Sequence, residues 1–415
     1  MDSKTLRHLE GQYSAHNYHP LPVVIDRAEG VWVWDVEGNK YLDCLSAYSA
    51  VNQGHRHPRI VKAALEQMQR VTLTSRAFRN DQFPLLCQEL CQLTGYDKFL
   101  PMNTGAEAVE TALKTARKHA YDERGLPSEQ AEIIACSGNF HGRTIAIISC
   151  STEELYRDGF GPFTPGFRIV PYGDAAALEQ AITPNTAAVL VEPPQGEAGV
   201  VLPPEGYLKQ VRELCTRHGI LLLADEIQTG LGRTGKMWAC EHEGVRPDML
   251  IVGKALGGGF YPVSGVLASA ELLGVFTPGT HGSTFGGNPL GAAVAREALK
   301  VLVEEGLVEN SARMGEYFME GLRQRLAQTP SPYVTEIRGK GLFVGVVLNQ
   351  RAREFCAALA GRGVLCKETH DMVIRFAPPL IIDKETVDWA LERITAVLTA
   401  PYDEIWREAE AFESA

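Results

Sequence analysis

The chain has 415 residues, 45% of them hydrophobic and 22% charged, which is typical of a folded protein with two or more subdomains. Its net charge of -11 argues against a nucleic-acid partner, because nucleic-acid-binding surfaces show a basic excess. No apolar run reaches the roughly 18 residues of a membrane span, and the N-terminal residues lack the character of a signal or transit peptide. We therefore expect a cytoplasmic protein that acts on small molecules, with no nucleic-acid or membrane partner.

The predicted elements begin with a short antiparallel hairpin formed by residues 31–36 and 41–44. From about residue 58, apolar residues recur alternately at helical spacing and in short continuous runs. Helices are predicted near 58–70, 80–94, from 105 onward and at 207–218, and strands near 133–135, 187–191, 220–223 and 249–252. This alternation predicts a mostly parallel sheet with helices on both sides.

The C-terminal third has a different pattern, which predicts a small α+β domain. Its predicted elements are helices near 287–304, 308–327, 351–361 and 385–398 and strands near 333–347 and 373–376. Residues beyond Pro401 are expected to form a C-terminal helix or a partly ordered extension. We expect residues 1–50 to join this small domain (293–415), with a large domain at 51–292 between them.

No metal centre is predicted. The nine cysteines are scattered without a CxxC pair, which favours reduced, structural thiols. His55 and His57 lie in a polar loop without a third ligand nearby, so we assign them no role.

An acid and an amine stand at the ends of two apolar runs. Asp225 ends the run that begins at Ile220, and Lys254 follows the run 249–252. Because the carboxyl ends of parallel strands form the ligand site of an open α/β sheet, this pair indicates a functional site. The alternative is a helix-capping aspartate and a solvated lysine, which is the commoner explanation of a bare pair of this kind.

Pyridoxal 5'-phosphate would explain both residues. A free lysine has a pKa of about 10.4 and is a poor nucleophile at neutral pH, but it condenses readily with an aldehyde cofactor. A carboxylate facing the pyridine nitrogen keeps that nitrogen protonated, so that the ring can accept electrons. We therefore assign Lys254 and Asp225 to these two tasks.

Three further segments fit such a cofactor. Gly105 and Ala106 open a helix, whose N-terminal N–H groups can bind a phosphate. The loop 282–289 has glycines and hydroxyls suited to close contact with an anion. Residues 139–144 offer an aromatic ring for stacking, Phe140, and an arginine for pairing with a carboxylate, Arg143.

In order and spacing, segments 139–143, 225–230, 253–256 and 282–289 resemble the class III (ω-amino) transaminases of fold type I. The resemblance covers nearly the whole chain. It implies an α/β fold, with a seven-stranded, mostly parallel sheet in the large domain and a small α+β domain built from the N-terminal segment and the C-terminal third. Segments 17–22, 47–54, 195–199 and 374–379 are similar to the branch that transaminates the δ-amino group of ornithine.

The resemblance also implies how the cofactor is held. Lys254 would bind it covalently and later move a proton, and Asp225 would hold the pyridine nitrogen. Phe140 would stack on the ring, and Gln228 would bond the phenolic oxygen. The implied cofactor set is completed by His141, by Gly105 and Ala106 at the phosphate, and by Thr284 from a partner subunit. The active site would then need a homodimer or a higher homo-oligomer.

Substrate selection is implied in the same way. Arg143 with Tyr18 would hold the α-carboxylate of ornithine and later the distal carboxylate of 2-oxoglutarate. Arg375 would bind the α-carboxylate of glutamate, and Glu197 would neutralise it while ornithine is bound. Tyr48 would line the ornithine end.

Two alternatives stay open at the sequence level. Acetylornithine, 4-aminobutyrate or another ω-amine could be the donor, although Tyr18 and Tyr48 argue against it. A binding or scaffold protein that has kept the fold is the other alternative, and the intact Lys254 and Asp225 argue against it.

Overall fold

The computed structural model describes residues 1–414, which form three β-sheets and the helices around them. The strands are β1 (Ile25–Glu29), β2 (Trp32–Asp35), β3 (Lys40–Asp43), β4 (Lys98–Met102), β5 (Glu132–Cys136), β6 (Phe167–Val170), β7 (Thr186–Val191), β8 (Leu221–Asp225), β9 (Met249–Val252), β10 (Ser264–Ala268), β11 (Val334–Lys340), β12 (Phe343–Leu348), β13 (Val364–Leu365), β14 (Lys367–Thr369) and β15 (Val373–Phe376).

Fifteen α-helices lie in the described part of the chain, and those in its first two thirds alternate with the strands. They are α1 (Ser3–Tyr13), α2 (Ser46–Ser49), α3 (Pro58–Met68), α4 (Phe83–Thr94), α5 (Gly105–Asp122), α6 (Ile145–Ile148), α7 (Glu154–Arg157), α8 (Ala175–Ala181), α9 (Tyr207–His218), α10 (Ala270–Gly274), α11 (Pro289–Glu304), α12 (Leu307–Gln328), α13 (Ala352–Gly361), α14 (Lys384–Leu398) and α15 (Tyr402–Ser414).

The central sheet has seven strands in the order β4-β10-β9-β8-β7-β5-β6, and β10 alone among them runs antiparallel to its neighbours. Every residue of β7 and of β9 is buried, as expected for strands covered on both faces by helices. The predicted fold class, a mostly parallel seven-stranded α/β sheet, is therefore confirmed.

Three strands of this sheet, β4, β6 and β10, were not among the strands predicted individually. β4 contains Pro101, which a strand tolerates at the edge of a sheet, and β4 is an edge strand. β10 contains Gly265, where a Cβ atom would lie 2.4 Å from the carbonyl oxygen of Leu100 on the neighbouring strand. Two residues that normally indicate loops thus occupy strands here: Pro101 because an edge strand tolerates it, and Gly265 because a larger residue would collide with Leu100.

Two smaller sheets hold the rest of the strands. The predicted hairpin is present as β2 and β3, and β13, from the C-terminal third, pairs in parallel with β3. The other sheet has the order β11-β12-β15-β14. The β3–β13 pairing supports the expected union of residues 1–50 with 293–415, although the domain boundaries themselves stay a prediction.

Both ends of the described chain are helical. The N-terminal helix α1 was not predicted, and it buries none of its residues. The segment beyond Pro401, expected to be either a helix or a partly ordered extension, forms the helix α15. Among residues 1–414, no helix has the length and apolar character needed to cross a membrane.

Candidate active site

A cavity of ≈ 200 Å³ opens at the carboxyl ends of β9, β8 and β7 and beside the loop that follows β5. This position is where ligands bind in open α/β sheets. The sequence-predicted residues that line it are Gly105, Ala106, Phe140, His141, Glu197, Asp225, Gln228 and Lys254.

Lys254 lies two residues beyond β9 and has a positive φ of 44°, which a residue other than glycine seldom adopts. Burial lowers the pKa of its amine to about 8, while Glu197 opposes this shift and the positive charge of Arg375 adds to it. A substantial fraction of the amine is therefore neutral near pH 8, and only the neutral form is nucleophilic.

Asp225 ends β8, and its carboxylate is held by two bonds. Oδ2 lies 2.7 Å from Nδ1 of His141, and Oδ1 accepts a bond of 3.1 Å from the backbone N–H of Ile227. Burial lowers the pKa of His141, but the hydrogen bond and negative charge of Asp225 outweigh burial and raise the pKa above its ordinary value. His141 thus fixes the orientation of a carboxylate that faces the cavity.

The helix α5 begins at the cavity wall. Thr104 caps it by accepting a bond of 3.3 Å from the N–H of Glu107, whose carboxylate accepts bonds from the N–H groups of Asn103 and Thr104. Gly105 also allows close packing, because a Cβ atom there would lie 3.2 Å from Ile227. The first turn of a well-capped helix therefore meets the cavity, where its dipole favours an anion.

Gln228 connects the cavity to an ion pair. Its Nε2 donates to Glu197 Oε1 at 3.1 Å, and the same oxygen lies 2.8 Å from Nη1 of Arg375. Burial opposes ionisation of Glu197, but the charges of Arg375 and Lys254 outweigh it and lower the pKa of Glu197 to about 2. Gly196 is needed for this arrangement, because a Cβ atom there would lie 1.5 Å from Gln228 Oε1.

Arg375 is buried and lies beneath Tyr48, with its guanidinium carbon 5.1 Å from the ring centre. Tyr48 belongs to the short segment α2, in which all four residues, Ser46 to Ser49, have positive φ. This is a left-handed turn built without glycine, a strained conformation of the kind that clusters at functional sites.

Arg143 is exposed and lies near Phe140, which lines the cavity. Its guanidinium carbon is 4.6 Å from the ring centre of Tyr156, 5.7 Å from that of Phe140 and 5.9 Å from that of Tyr18. Tyr18 is 62% exposed. Three aromatic rings thus surround this cation, and one of them, that of Phe140, belongs to the cavity lining.

Thr284 is the one sequence-predicted site residue that has no described contact with this group. It is exposed in the loop between α10 and α11 and is not part of the cavity lining. Its expected role in the site of a partner subunit stays a prediction.

Sequence analysis missed Glu192, Ile227 and Tyr156. Glu192 lines the cavity directly after β7, so the rule that selected Asp225, a polar residue at the end of a buried strand, could have found it. Burial raises the pKa of Glu192 to about 8, and its Oε2 accepts a bond of 3.0 Å from the N–H of Phe140. Tyr156 lies in the four-residue helix α7, whose sequence carries no comparable signal.

Comparison with known families agrees with this geometry. The model of the aminotransferase class-III family matches residues 13–398, and the chain belongs to that family.

The ornithine aminotransferase of Brevibacillus brevis is 62% identical over 387 residues, which are 93% of this chain and 96% of that protein. A crystal structure of the ornithine aminotransferase of Toxoplasma gondii superposes with a TM-score of 0.95 at 45% identity, covering 97% of this chain and 96% of that one. The acetylornithine aminotransferase of Elizabethkingia anophelis superposes with a TM-score of 0.87 at 48% identity, covering 96% and 99%.

Proposed function

We propose that this protein is a pyridoxal 5'-phosphate-dependent transaminase that moves the δ-amino group of L-ornithine to 2-oxoglutarate. The products are glutamate and glutamate 5-semialdehyde, which cyclises to pyrroline-5-carboxylate, a reaction that would serve proline biosynthesis and arginine catabolism. The observation that carries the proposal is the Glu197–Arg375 pair beside Lys254, since it lets one cation be neutralised for one substrate and released for another. The similarity to ornithine aminotransferases over nearly the whole chain supports the same donor.

The cavity fits this cofactor. Gln228 Oε1 and His141 Nε2 are buried without a hydrogen-bond partner among residues 1–414, and such atoms indicate a missing ligand or water. The start of α5 would hold the phosphate through the N–H groups of Gly105 and Ala106. Asp225 would face the pyridine nitrogen, and Gln228 would face the phenolic oxygen.

When bound, pyridoxal phosphate supplies an electron sink for the electron pair that remains when a substrate carbon loses a proton. Lys254 would hold the cofactor and then use its Nζ to take the proton from the substrate carbon and deliver it to the C4′ carbon of the cofactor. Phe140 and Ile227, which both line the cavity, would contact the ring. His141 would keep Asp225 in the orientation that the pyridine nitrogen requires.

The two substrates differ in charge at the end that meets Arg375. In the ornithine half-reaction Glu197 would neutralise Arg375, and Arg143 with Tyr18 would hold the α-carboxylate. In the 2-oxoglutarate half-reaction Arg375 would leave Glu197 and bind the α-carboxylate of the oxoacid. The distal carboxylate would then take the place at Arg143.

We further propose that the enzyme acts as a cytoplasmic homodimer in which Thr284 of each subunit completes the phosphate site of the other. The exposure of Thr284 supports this arrangement. Mixing subunits that are each inactive for a different reason tests it.

The test of function is to incubate the purified protein with ornithine and 2-oxoglutarate and to trap pyrroline-5-carboxylate. Acetylornithine and 4-aminobutyrate serve as alternative donors. Turnover of acetylornithine without turnover of ornithine would contradict the assignment of ornithine as the amino donor, whereas the assignment to the transaminases would stand. As a matched variant, Tyr18→Phe is expected to weaken the use of ornithine much more than that of 4-aminobutyrate, and equal losses would contradict the role of Tyr18.

A further inference from the structure

The helix α15 lies outside the part of the chain that matches the family, which ends at residue 398. It is nevertheless packed firmly on α13. Ile405 and Ala409 are buried, and Glu408 forms two bonds of 2.6 and 2.9 Å with the guanidinium of Arg362. The helix is therefore an integral part of the small domain rather than a loose extension.

The far end of α15 contacts a second arginine, Arg353, in the first turn of α13. Nε of Arg353 donates to Glu413 Oε1 at 2.8 Å. Its Nη1 donates to the backbone carbonyl of His19 and to Glu368 Oε1, both at 3.4 Å. One guanidinium thus joins the C-terminal helix, the strand β14 and the segment that precedes β1.

The segment contacted through His19 carries Tyr18, and we call residues 14–20 the Tyr18 segment. Residues 11–20 are all exposed, and α1 buries no residue, so apolar packing contributes little to holding this part of the chain. A cavity of ≈ 740 Å³ lies between the segment, Arg353 and Glu413. The position of Tyr18 therefore depends strongly on polar contacts such as the bond from Arg353.

The other bond of Arg353 leads to the opposite side of the substrate site. Glu368, in β14, is followed by Thr369, whose hydroxyl donates to the backbone carbonyl of Glu197. Glu197 is the partner of Arg375. Arg353 is thus linked to both groups that would select the substrate. Tyr18 is the neighbour of His19 in the chain, and Glu197 is bonded by Thr369, the neighbour of Glu368.

We propose that Glu413 and Arg353 are a positioning pair, through which the C-terminal helix holds the Tyr18 segment over the substrate site. Glu413 orients the guanidinium of Arg353, and Arg353 binds the carbonyl of His19. The inference rests on the proposed role of Tyr18 in binding the substrate carboxylate. It adds a helix beyond the family match to the determinants of substrate affinity.

The test compares Glu413→Gln with Glu408→Gln in the full-length holoenzyme. Each variant removes one ion pair between α15 and the α13 region, but only the first removes a partner of Arg353. Hydrogen exchange of the hydrogen-bonded amides of the Tyr18 segment, those of Ser14 and Asn17, is the first readout, and the KM and kcat for ornithine are the second. Arg353→Gln is a third variant, which also loses the bonds to His19 and Glu368.

For Glu413→Gln we expect faster exchange in the Tyr18 segment and a KM for ornithine raised about fivefold, the effect of losing one charge-assisted hydrogen bond. The kcat should stay within about twofold, because the groups around Lys254 are unchanged. Arg353→Gln should have the larger effect, and Glu413→Asp, which keeps the charge, should restore part of the affinity. Glu408→Gln should leave both readouts near those of the unmodified protein.

Equal changes in the Glu413 and Glu408 variants would overturn the proposal, because α15 would then act only as a cover of the small domain. Unchanged exchange in all the variants would overturn it as well. The exchange measurement does not require turnover. If the protein failed to use ornithine while the Glu413 and Arg353 variants loosened the Tyr18 segment and Glu408→Gln did not, the positioning pair would stand and the assignment of ornithine as the donor would fail.

Discussion

Oε1 of Glu197 lies 2.8 Å from Nη1 of Arg375, and the guanidinium is otherwise enclosed beneath the ring of Tyr48. A buried arginine that loses its carboxylate partner gains affinity for any carboxylate that can replace it. We therefore expect Glu197→Gln to lower the KM for 2-oxoglutarate and to raise that for ornithine. The ratio of kcat/KM for ornithine to that for glutamate should fall about tenfold, which corresponds to a free-energy difference of about 1.4 kcal/mol.

The control for this prediction is Glu179→Gln, which breaks a surface pair with Arg217. That variant should leave the ratio unchanged. If Glu197→Gln weakened both substrates equally, Glu197 would hold the site together without selecting between them.

The amine of Lys254 should react with pyridoxal phosphate in a pH-dependent way. Because burial lowers its pKa to about 8, the rate of cofactor uptake by the apoprotein should rise through that pH as the amine loses its proton. Borohydride reduction followed by mass spectrometry measures the covalent adduct, and Lys254→Arg should form none. A midpoint near the ordinary value of about 10.4 would show that the amine is solvated.

Glu192 should make stability depend on pH. Burial raises its pKa to about 8, so the folded state holds a proton that the unfolded state releases near pH 4.5. The stabilisation associated with this proton is complete below the unfolded pKa and is lost as the pH rises through 8. Glu192→Gln keeps the acceptor for the N–H of Phe140 and has no proton to lose.

The difference in free energy of unfolding between Glu192→Gln and the unmodified protein should therefore shift in favour of the variant between pH 5 and 8. A shift on the order of 3 kcal/mol is expected. Urea titrations of the apoprotein at several pH values measure it, with Glu179→Gln, which breaks a surface ion pair, as the control. A constant difference would show that Glu192 is ionised throughout.

Subunit mixing tests the origin of Thr284. Lys254→Ala and Thr284→Asp should each inactivate the homodimer, the second because it places a negative charge at the phosphate. In a mixed dimer, one site would combine Lys254 from one chain with Thr284 from the other, and a statistical mixture would regain about a quarter of full activity. No recovery, with mixing verified by mass, would mean that Thr284 acts within its own chain.

The sequence predicted the position of the two central residues because each of them follows a simple local pattern. Lys254 and Asp225 stand at the ends of short apolar runs, and both lie at the cavity. By contrast, β10 was not predicted, because a glycine such as Gly265 normally indicates a loop. Only the structure shows that the backbone of Leu100 leaves no room for a side chain there. The contact between Arg353 and Glu413 depends on how α15 packs against α13. Local sequence patterns do not predict ion pairs between residues that are far apart in the chain.

The left-handed turn at Ser46–Ser49 lowers the thermal stability of the protein but supports Tyr48, which lines the proposed substrate site. Each of its residues costs about 1 kcal/mol relative to a relaxed backbone, and Asp43 helps to hold the turn by accepting from the N–H groups of Leu45 and Ser46 at 2.8 Å. A search for more robust variants would favour glycine at exposed Ala47, which relieves the strain. The same exchange would loosen the support of Tyr48, so thermal screening alone would drift towards proteins that discriminate less between their amino donors.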